Sequence, residues 1–223
     1  RTMELYAESG IDFRFRRTAT ELDAPGRKVK LDDVTVLGCA KLLLATGAEP
    51  VRLKTPGAEL PHVRTLRSLA DSREIIARAT KSRRAVIIGA SFIGLEAAAA
   101  LRRRGLEVHV VAPETRPMER VLGPVLGDFI RALHEEQGVV FHLGRTLAAI
   151  EEQRVRLDDG AALDAELVVV GVGVRPRLEL AEKAGLAIDR GVLVDEYLET
   201  SAPDVFAAGD IARWPDPHTG ESI

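Results

Sequence analysis

Gly89, Ala90, Ser91, Phe92, Ile93 and Gly94 stand in the spacing G-x-S-x-x-G, one residue away from the glycine turn that holds a dinucleotide pyrophosphate. In that turn the first glycine permits a tight strand-to-helix reversal. A small middle residue lets the backbone approach the phosphates, and the last glycine lets the helix pack on its strand with its N-terminal amides facing the negative charge. Ser91 keeps the close approach in part, since a hydroxymethyl must fit where hydrogen is usual. A hexapeptide of this kind also fits a plain packing turn, so its surroundings decide. Residues 85–88 (Ala-Val-Ile-Ile) read as a β-branched strand, 95–104 as an alanine-rich helix ended by Gly105, and 108–111 as the next strand. Strand, glycine turn, helix and strand within about 30 residues form a βαβ unit, and the dinucleotide reading outweighs the packing turn.

A carboxylate that reads the adenosine ribose belongs about 20 residues past such a turn. Ala112 closes the second strand, and Glu114 follows it on a loop stiffened by Pro113. Glu114 is the expected ribose acid; the competing reading is a solvated loop glutamate. Arg116 and Arg120 stand nearby, where a cation would meet the pyrophosphate or the 2'-phosphate of NADPH. The balance tilts toward NADH, with NADPH as the alternative. Glu96 sits early in its helix, where the macrodipole alone accounts for a carboxylate. Arg102, Arg103 and Arg104 at the far end read as dipole complement and solvated surface. Asp210 either caps a helix starting at Ile211 or offers its carboxylate to cofactor hydroxyls beside Gly209.

The rest of the chain supplies the frame. Short strands are expected over 11–16 and 28–31, with a turn at 24–26, then a buried run over 41–45 closing in Thr46 and Gly47. Prolines at 50, 56 and 61 make a stiff connector, and a domain boundary is placed near Lys54. Residues 68–80 have the spacing of a short amphipathic helix with Asp71 near its start and Arg78 near its end. Further on, 125–137 read as a helix stopped by Gly138, 139–143 as a strand, 147–157 as a hairpin region with a turn at 158–160, and 167–170 as a fully apolar strand. A short helix over 178–183, strands over 186–188 and 192–194, and a strand from Val205 into Gly209-Asp210 complete the reading.

The 223 residues suit one large domain or two small ones. With 46% hydrophobic and 29% charged residues the composition is that of an ordinary globule, which excludes disorder and fibrous repeats. The apolar runs fall short of the roughly 18 residues of a membrane span. A net charge of −3 gives no reason to expect nucleic acid or an anionic membrane as partner. Cys39 is the only cysteine, which leaves no disulfide, CxxC pair or multi-cysteine metal site and fits a reducing, cytoplasmic compartment. It precedes an apolar strand and reads as a small core residue. The five histidines lack paired-ligand spacing, so no metal is expected. Neither end shows starting or terminating logic, and the chain reads as part of something longer.

Four stretches in order, Leu42 to Gly47 (LLLATG), Val86 to Ala97 (VIIGASFIGLEA), Val168 to Pro176 (VVVGVGVRP) and Ser201 to Asp210 (SAPDVFAAGD), resemble the pyridine nucleotide-disulfide oxidoreductase superfamily. Within it they resemble the ferredoxin and rubredoxin reductases and the apoptosis-inducing-factor-like flavoproteins. The resemblance implies an α/β architecture in which a Rossmann-like NAD-binding domain (55–173) is inserted in a partial FAD-binding domain (1–54 and 174–223) of the two-dinucleotide-binding-domain flavoprotein type. It implies that Thr46 and Gly47 line the FAD side and that Asp210, with Gly209, meets the ribityl chain. Gly89, Ser91 and Gly94, with Phe92 and Ile93 between, would cradle NADH. Glu96 would lie near the nicotinamide as the catalytic-position residue, and Gly173 would pass its backbone beside it. Glu114 would hold the adenosine ribose with Arg120 assisting. The implied activity is hydride transfer from NADH to FAD and electron transfer to an iron-sulfur acceptor of ferredoxin, rubredoxin or Rieske type, in a protein that forms a homodimer on one reading. The alternatives are an NADH oxidase or peroxidase, and an NADH-sensing interaction protein. The family's N-terminal FAD fingerprint is absent from these residues, so this chain by itself is expected to be inactive.

Overall fold

The computed structural model describes residues 3–220. In chain order the elements are α1 (Met3–Glu8), β1 (Ala19–Asp23), β2 (Lys28–Leu31), β3 (Val36–Gly38), β4 (Leu42–Leu44), β5 (Ala48–Pro50) and β6 (Val63–Thr65). Then come α2 (Leu69–Ala79), β7 (Arg84–Ile88), α3 (Phe92–Arg103), β8 (Glu107–Ala112), α4 (Glu119–Glu136) and β9 (Val139–Leu143). They are followed by β10 (Leu147–Glu151), β11 (Arg154–Leu157), β12 (Ala162–Asp164), β13 (Leu167–Val170), β14 (Val174–Pro176) and α5 (Glu179–Lys183). The chain ends in β15 (Val192–Leu193), β16 (Val205–Ala207), a 3-10 turn (Gly209–Ile211) and β17 (Ala212–Arg213). Among the described residues no helix is long and apolar enough to cross a membrane.

The chain divides into two compact units, one of residues 1–48 and 176–223 and the other of residues 49–175. The second unit is built on a five-stranded parallel sheet in the order β6-β13-β7-β8-β9. Its central strands are apolar throughout because both faces are covered. Ala85 and Ile87 of β7, with Leu167 and Val169 of β13, point into a core shared with Ala97, Ala98 and Leu101 of α3. Val86, Ile88 and Val168 point the other way, against Ile150, Val155 and Leu157 of the antiparallel β10-β11-β12 sheet. The alternation of period two thus feeds two cores from single strands. The alanines of α3 are what let its axis lie close to the sheet.

Helix α2 forms where its spacing predicts, and its start is set by a reciprocal cap. The Ser68 hydroxyl accepts from the Asp71 N–H at 3.1 Å, and the Asp71 carboxylate accepts from the Ser68 N–H at 2.8 Å. At the other end of the sheet, the Glu166 carboxylate accepts from the backbone N–H of Arg83 and, at 3.0 Å, from that of Arg84, whose guanidinium also pairs with it. These donors, the Arg83 amide first, hold the Glu166 carboxyl below the usual glutamate value. A group depressed in the folded state adds stability that is complete above its unfolded value and is lost as pH falls through the folded one. Urea unfolding midpoints measured between about pH 5 and about pH 3 should therefore fall less steeply in Glu166→Gln than in the wild type.

In the first unit, β1-β2-β3 form an antiparallel sheet, and β4 pairs with β16 and β15 with β17 in parallel. Leu22, Leu44, Val192, Val205, Ala207 and Ile211 share its core with α5. Several expectations change here. Residues 11–14 are irregular and 15–16 turn, so no strand occupies 11–16; the first strand begins at Ala19. The run 41–45 is not buried: Leu44 points inward, whereas Leu43 is 58% exposed, because β4 alternates and its outer face has no cover among the described residues. Asp210 caps no helix, since it lies inside the 3-10 turn that Ala208 precedes, and β17 follows directly. In the second unit, α3 starts at Phe92 and not at 95, because Ser91 already takes the extended backbone of an N-cap. Helical residues begin at Glu119, ahead of the expected 125, with a break at Gly123 (φ 76, ψ 177) before Pro124 restarts the turn.

Candidate dinucleotide site

The order β6-β13-β7-β8-β9 puts a reversal of winding at β7, which is flanked by β8 on one side and β13 on the other. Ligands of open parallel sheets bind past the carboxyl ends of strands at such a point. Gly89 follows β7 and Gly171 follows β13, and both lie at that end.

Three glycines meet there with no room to spare. Gly89 has φ +104, and a Cβ on it would fall 2.5 Å from the Gly171 carbonyl oxygen. A Cβ on Gly94 would fall 2.0 Å from the Gly89 oxygen, and one on Gly171 would fall 2.9 Å from the Gly94 nitrogen. The start of α3 is thereby pressed against two adjacent strand ends, and a side chain at any of the three positions would push it away. Sequence reading assigned Gly171 no role. The signal was present, since it ends an apolar strand as Gly89 does, but adjacency of β7 and β13 is a long-range fact.

Ser91 supplies the remaining link. Its Oγ donates to the Gly171 carbonyl at 3.0 Å, and it makes no side-chain cap on α3. The first amides of a helix have no intrahelical acceptor, so those of Phe92, Ile93 and Gly94 form the kind of helix start at which an anion can bind. Ser91→Ala should weaken NADH binding modestly, about three- to tenfold, the worth of one neutral hydrogen bond; calorimetric titration reads it. Phe92 and Glu96 are exposed one turn apart on α3.

The β8–α4 loop is tied to this turn through its own backbone. Met118, in the left-handed region at φ 56, donates its N–H to the Ala90 carbonyl at 3.0 Å. The Glu114 carbonyl accepts from Gly144 N–H at 3.0 Å, past the end of β9. Glu114 therefore stands at the carboxyl end of the sheet, with the Arg120 guanidinium 3.8 Å from its carboxylate. Arg116 is engaged elsewhere, by Asp128 at 2.8 Å and Glu119 at 3.4 Å. Arg120, 84% exposed at its side chain, is the cation of this loop with freedom to turn toward a ligand. Gly173 (φ 107) directs its carbonyl to the Val51 N–H at 3.0 Å. The described residues hold no cluster of three or more metal-ligating side chains.

In the first unit, the parallel register Leu42↔Val205 and Leu44↔Ala207 brings Thr46-Gly47 and Gly209-Asp210 to the carboxyl ends of neighbouring strands. Thr46 Oγ1 donates to the Arg177 carbonyl at 2.9 Å and Gly47 accepts from the Arg177 N–H. The Thr46 hydroxyl thus holds the returning chain. Gly209 has φ +75 with open space beside it, and Asp210 is exposed.

The family model of the pyridine nucleotide-disulphide oxidoreductases matches residues 4–220. The chain belongs to this family. Among its relatives, rhodocoxin reductase of Rhodococcus erythropolis is 37% identical over 97% of this chain and 52% of its own length. The ferredoxin–NAD(+) reductase component of the anthranilate 1,2-dioxygenase system of Burkholderia cepacia is 38% identical over 98% and 55%. The crystal structure of the ferredoxin reductase for the CYP199A2 system from Rhodopseudomonas palustris superposes with a TM-score of 0.96 at 37% identity, covering 100% of this chain and 56% of that one. The chain thus spans about half the length of the curated relatives it matches. Both resemblance and architecture agree with a two-dinucleotide flavoprotein of α/β class.

Proposed function

We propose that the whole protein oxidises NADH, reduces a bound FAD and delivers the electrons to an iron-sulfur protein of ferredoxin, rubredoxin or Rieske type. The observation that carries this reading is the three-glycine contact at the reversal of the parallel sheet, with Glu114 presented from the next strand. The second unit is the NADH-binding part on this reading and the first unit the FAD-binding part. FAD, when bound, accepts a hydride and releases electrons singly, so the chain's own residues bind, orient and shield. Gly89, Gly94 and Gly171 let the α3 amides approach the pyrophosphate, and Ser91 fixes the turn. Glu114 accepts from the adenosine ribose hydroxyls and Arg120 offsets phosphate charge. Glu96 and the Gly173 backbone face the nicotinamide end. Gly47, Gly209 and Asp210 serve the flavin dinucleotide, with Thr46 supporting them through Arg177.

The relatives' names support the acceptor class, since they are reductases of ferredoxin and rhodocoxin systems. A cytoplasmic location belongs to the same reading, supported by one cysteine and so no intramolecular disulfide. Stopped-flow mixing of the full-length, FAD-loaded protein with NADH tests it. Rapid bleaching of the flavin followed by ferredoxin-stimulated turnover is expected. A flavin that NADH and NADPH both leave oxidised would refute the proposal.

A further inference from the structure

Two histidines meet on β8 and β9, away from the glycine turn. His109 shares its side of β8 with Val111, the side that packs against β10 and β11, and His142 is the partner of Val111 in the parallel register. His109 Nδ1 lies 2.9 Å from His142 Nε2, with the ring planes 23° and the centroids 5.2 Å apart, so the contact joins ring edges. His109 Nε2 lies 2.9 Å from a Glu107 carboxylate oxygen.

These partners fix where the hydrogens sit. A carboxylate only accepts, so His109 carries its hydrogen on Nε2 and, when neutral, presents a bare Nδ1. His142 then donates from Nε2. One added proton reverses this bond without breaking it, because it settles on His109 beside Glu107 and leaves His142 Nε2 as the acceptor, with the hydrogen of His142 on Nδ1. A second proton breaks it. Two N–H groups would face each other across 2.9 Å, and the rings must part. Burial, and after it His109, hold the His142 imidazole below the usual histidine value, while Asp159 pulls the other way. Among the described residues, the charged groups facing the pair from neighbouring elements are Arg84 of β7, opposite Glu107 in the register, and Asp159 of the turn after β11, which Arg145 engages at 3.1 Å.

The pair stands one residue from the bonds that hold the ribose loop. Leu143 follows His142, and then the Gly144 N–H donates to the Glu114 carbonyl at 3.0 Å and the Arg145 N–H to the Ala112 carbonyl at 3.1 Å. Rings driven apart at His142 pull this end of β9 away from β8 and strain both bonds. We propose that His142 is a positioning residue: bonded to His109 it keeps β9 against the strand that presents Glu114, and a second proton on the pair loosens that loop and weakens NADH binding. This rests on the reading of Glu114 as the ribose acid.

Calorimetric titration of the chain with NADH should give one affinity between about pH 8 and about pH 6.5 and a loss of about three- to tenfold by about pH 5, the worth of one neutral hydrogen bond. His142→Gln keeps an N–H donor for His109 Nδ1 and takes up no proton, so it should bind as the wild type does at pH 7.5 and lose little by pH 5. His142→Phe, which has no donor, should bind more weakly already at pH 7.5. A second readout needs no cofactor. In NMR spectra of the chain alone, the Gly144 amide should shift with the same apparent midpoint as the His142 ring, and in His142→Gln that shift should vanish. A chain that binds no NADH at any pH but whose Gly144 amide follows His142 refutes the ribose reading and leaves the link between the pair and the loop standing. A Gly144 amide indifferent to His142, or a His142→Gln variant with the wild-type pH profile, overturns the proposal.

Discussion

Gly94→Ala should abolish measurable NADH binding and cost stability by about 1–3 kcal/mol, the range for forced overpacking. The reason is local and steric. An added Cβ would sit 2.0 Å from the Gly89 carbonyl oxygen and 3.0 Å from its carbon, both backbone atoms of a turn already held by Gly171. Relief requires α3 to retreat from the strand ends, which would carry its first amides away from the pyrophosphate position of the proposed site. Gly38→Ala is the matched control, since no atom lies within 4 Å of a Cβ there, and its stability should change by less than about 0.5 kcal/mol. Urea unfolding and calorimetric titration with NADH read the two effects separately. Wild-type NADH affinity in Gly94→Ala would remove the cradle from the site.

Glu114→Ala should weaken NADH binding about 10- to 100-fold, the worth of hydrogen bonds to a charged acceptor at about 1.5–3 kcal/mol. The same change should improve NADPH relative to NADH, because Arg120 loses its partner at 3.8 Å and a carboxylate no longer opposes a 2'-phosphate. Glu114→Gln, which keeps the shape and loses the charge, should fall between. Titrating each variant with both cofactors decides the assignment. An unchanged NADH affinity in Glu114→Ala would return this residue to the solvated surface.

The strand, glycine turn and helix of one βαβ unit were legible because their signals are local. Gly89, Ser91 and Gly94 lie within six residues, and their small size follows from the turn they must make. The capping of α2 by Ser68 and Asp71 and the apolar runs of β7 and β13 are of the same kind. Other readings failed where neighbours decide. The alternation that exposes Leu43 depends on whether anything covers that face of β4, and the 3-10 turn at Asp210 depends on β17 pairing back with β15. Neither is written in the residues themselves.

The sequence by itself determined the α/β class and the glycine turn, since short-range sterics and period-two burial fix them. Only the tertiary structure decided that β13 lies beside β7, so that Gly171 closes the cradle and receives the Ser91 hydroxyl. It also decided that Arg116 is held by two carboxylates while Arg120 stays largely exposed beside Glu114, and that the apolar side of α4 points outward. Each of these turns on which groups meet across long stretches of chain, and a side chain's role is set by the partner that reaches it first.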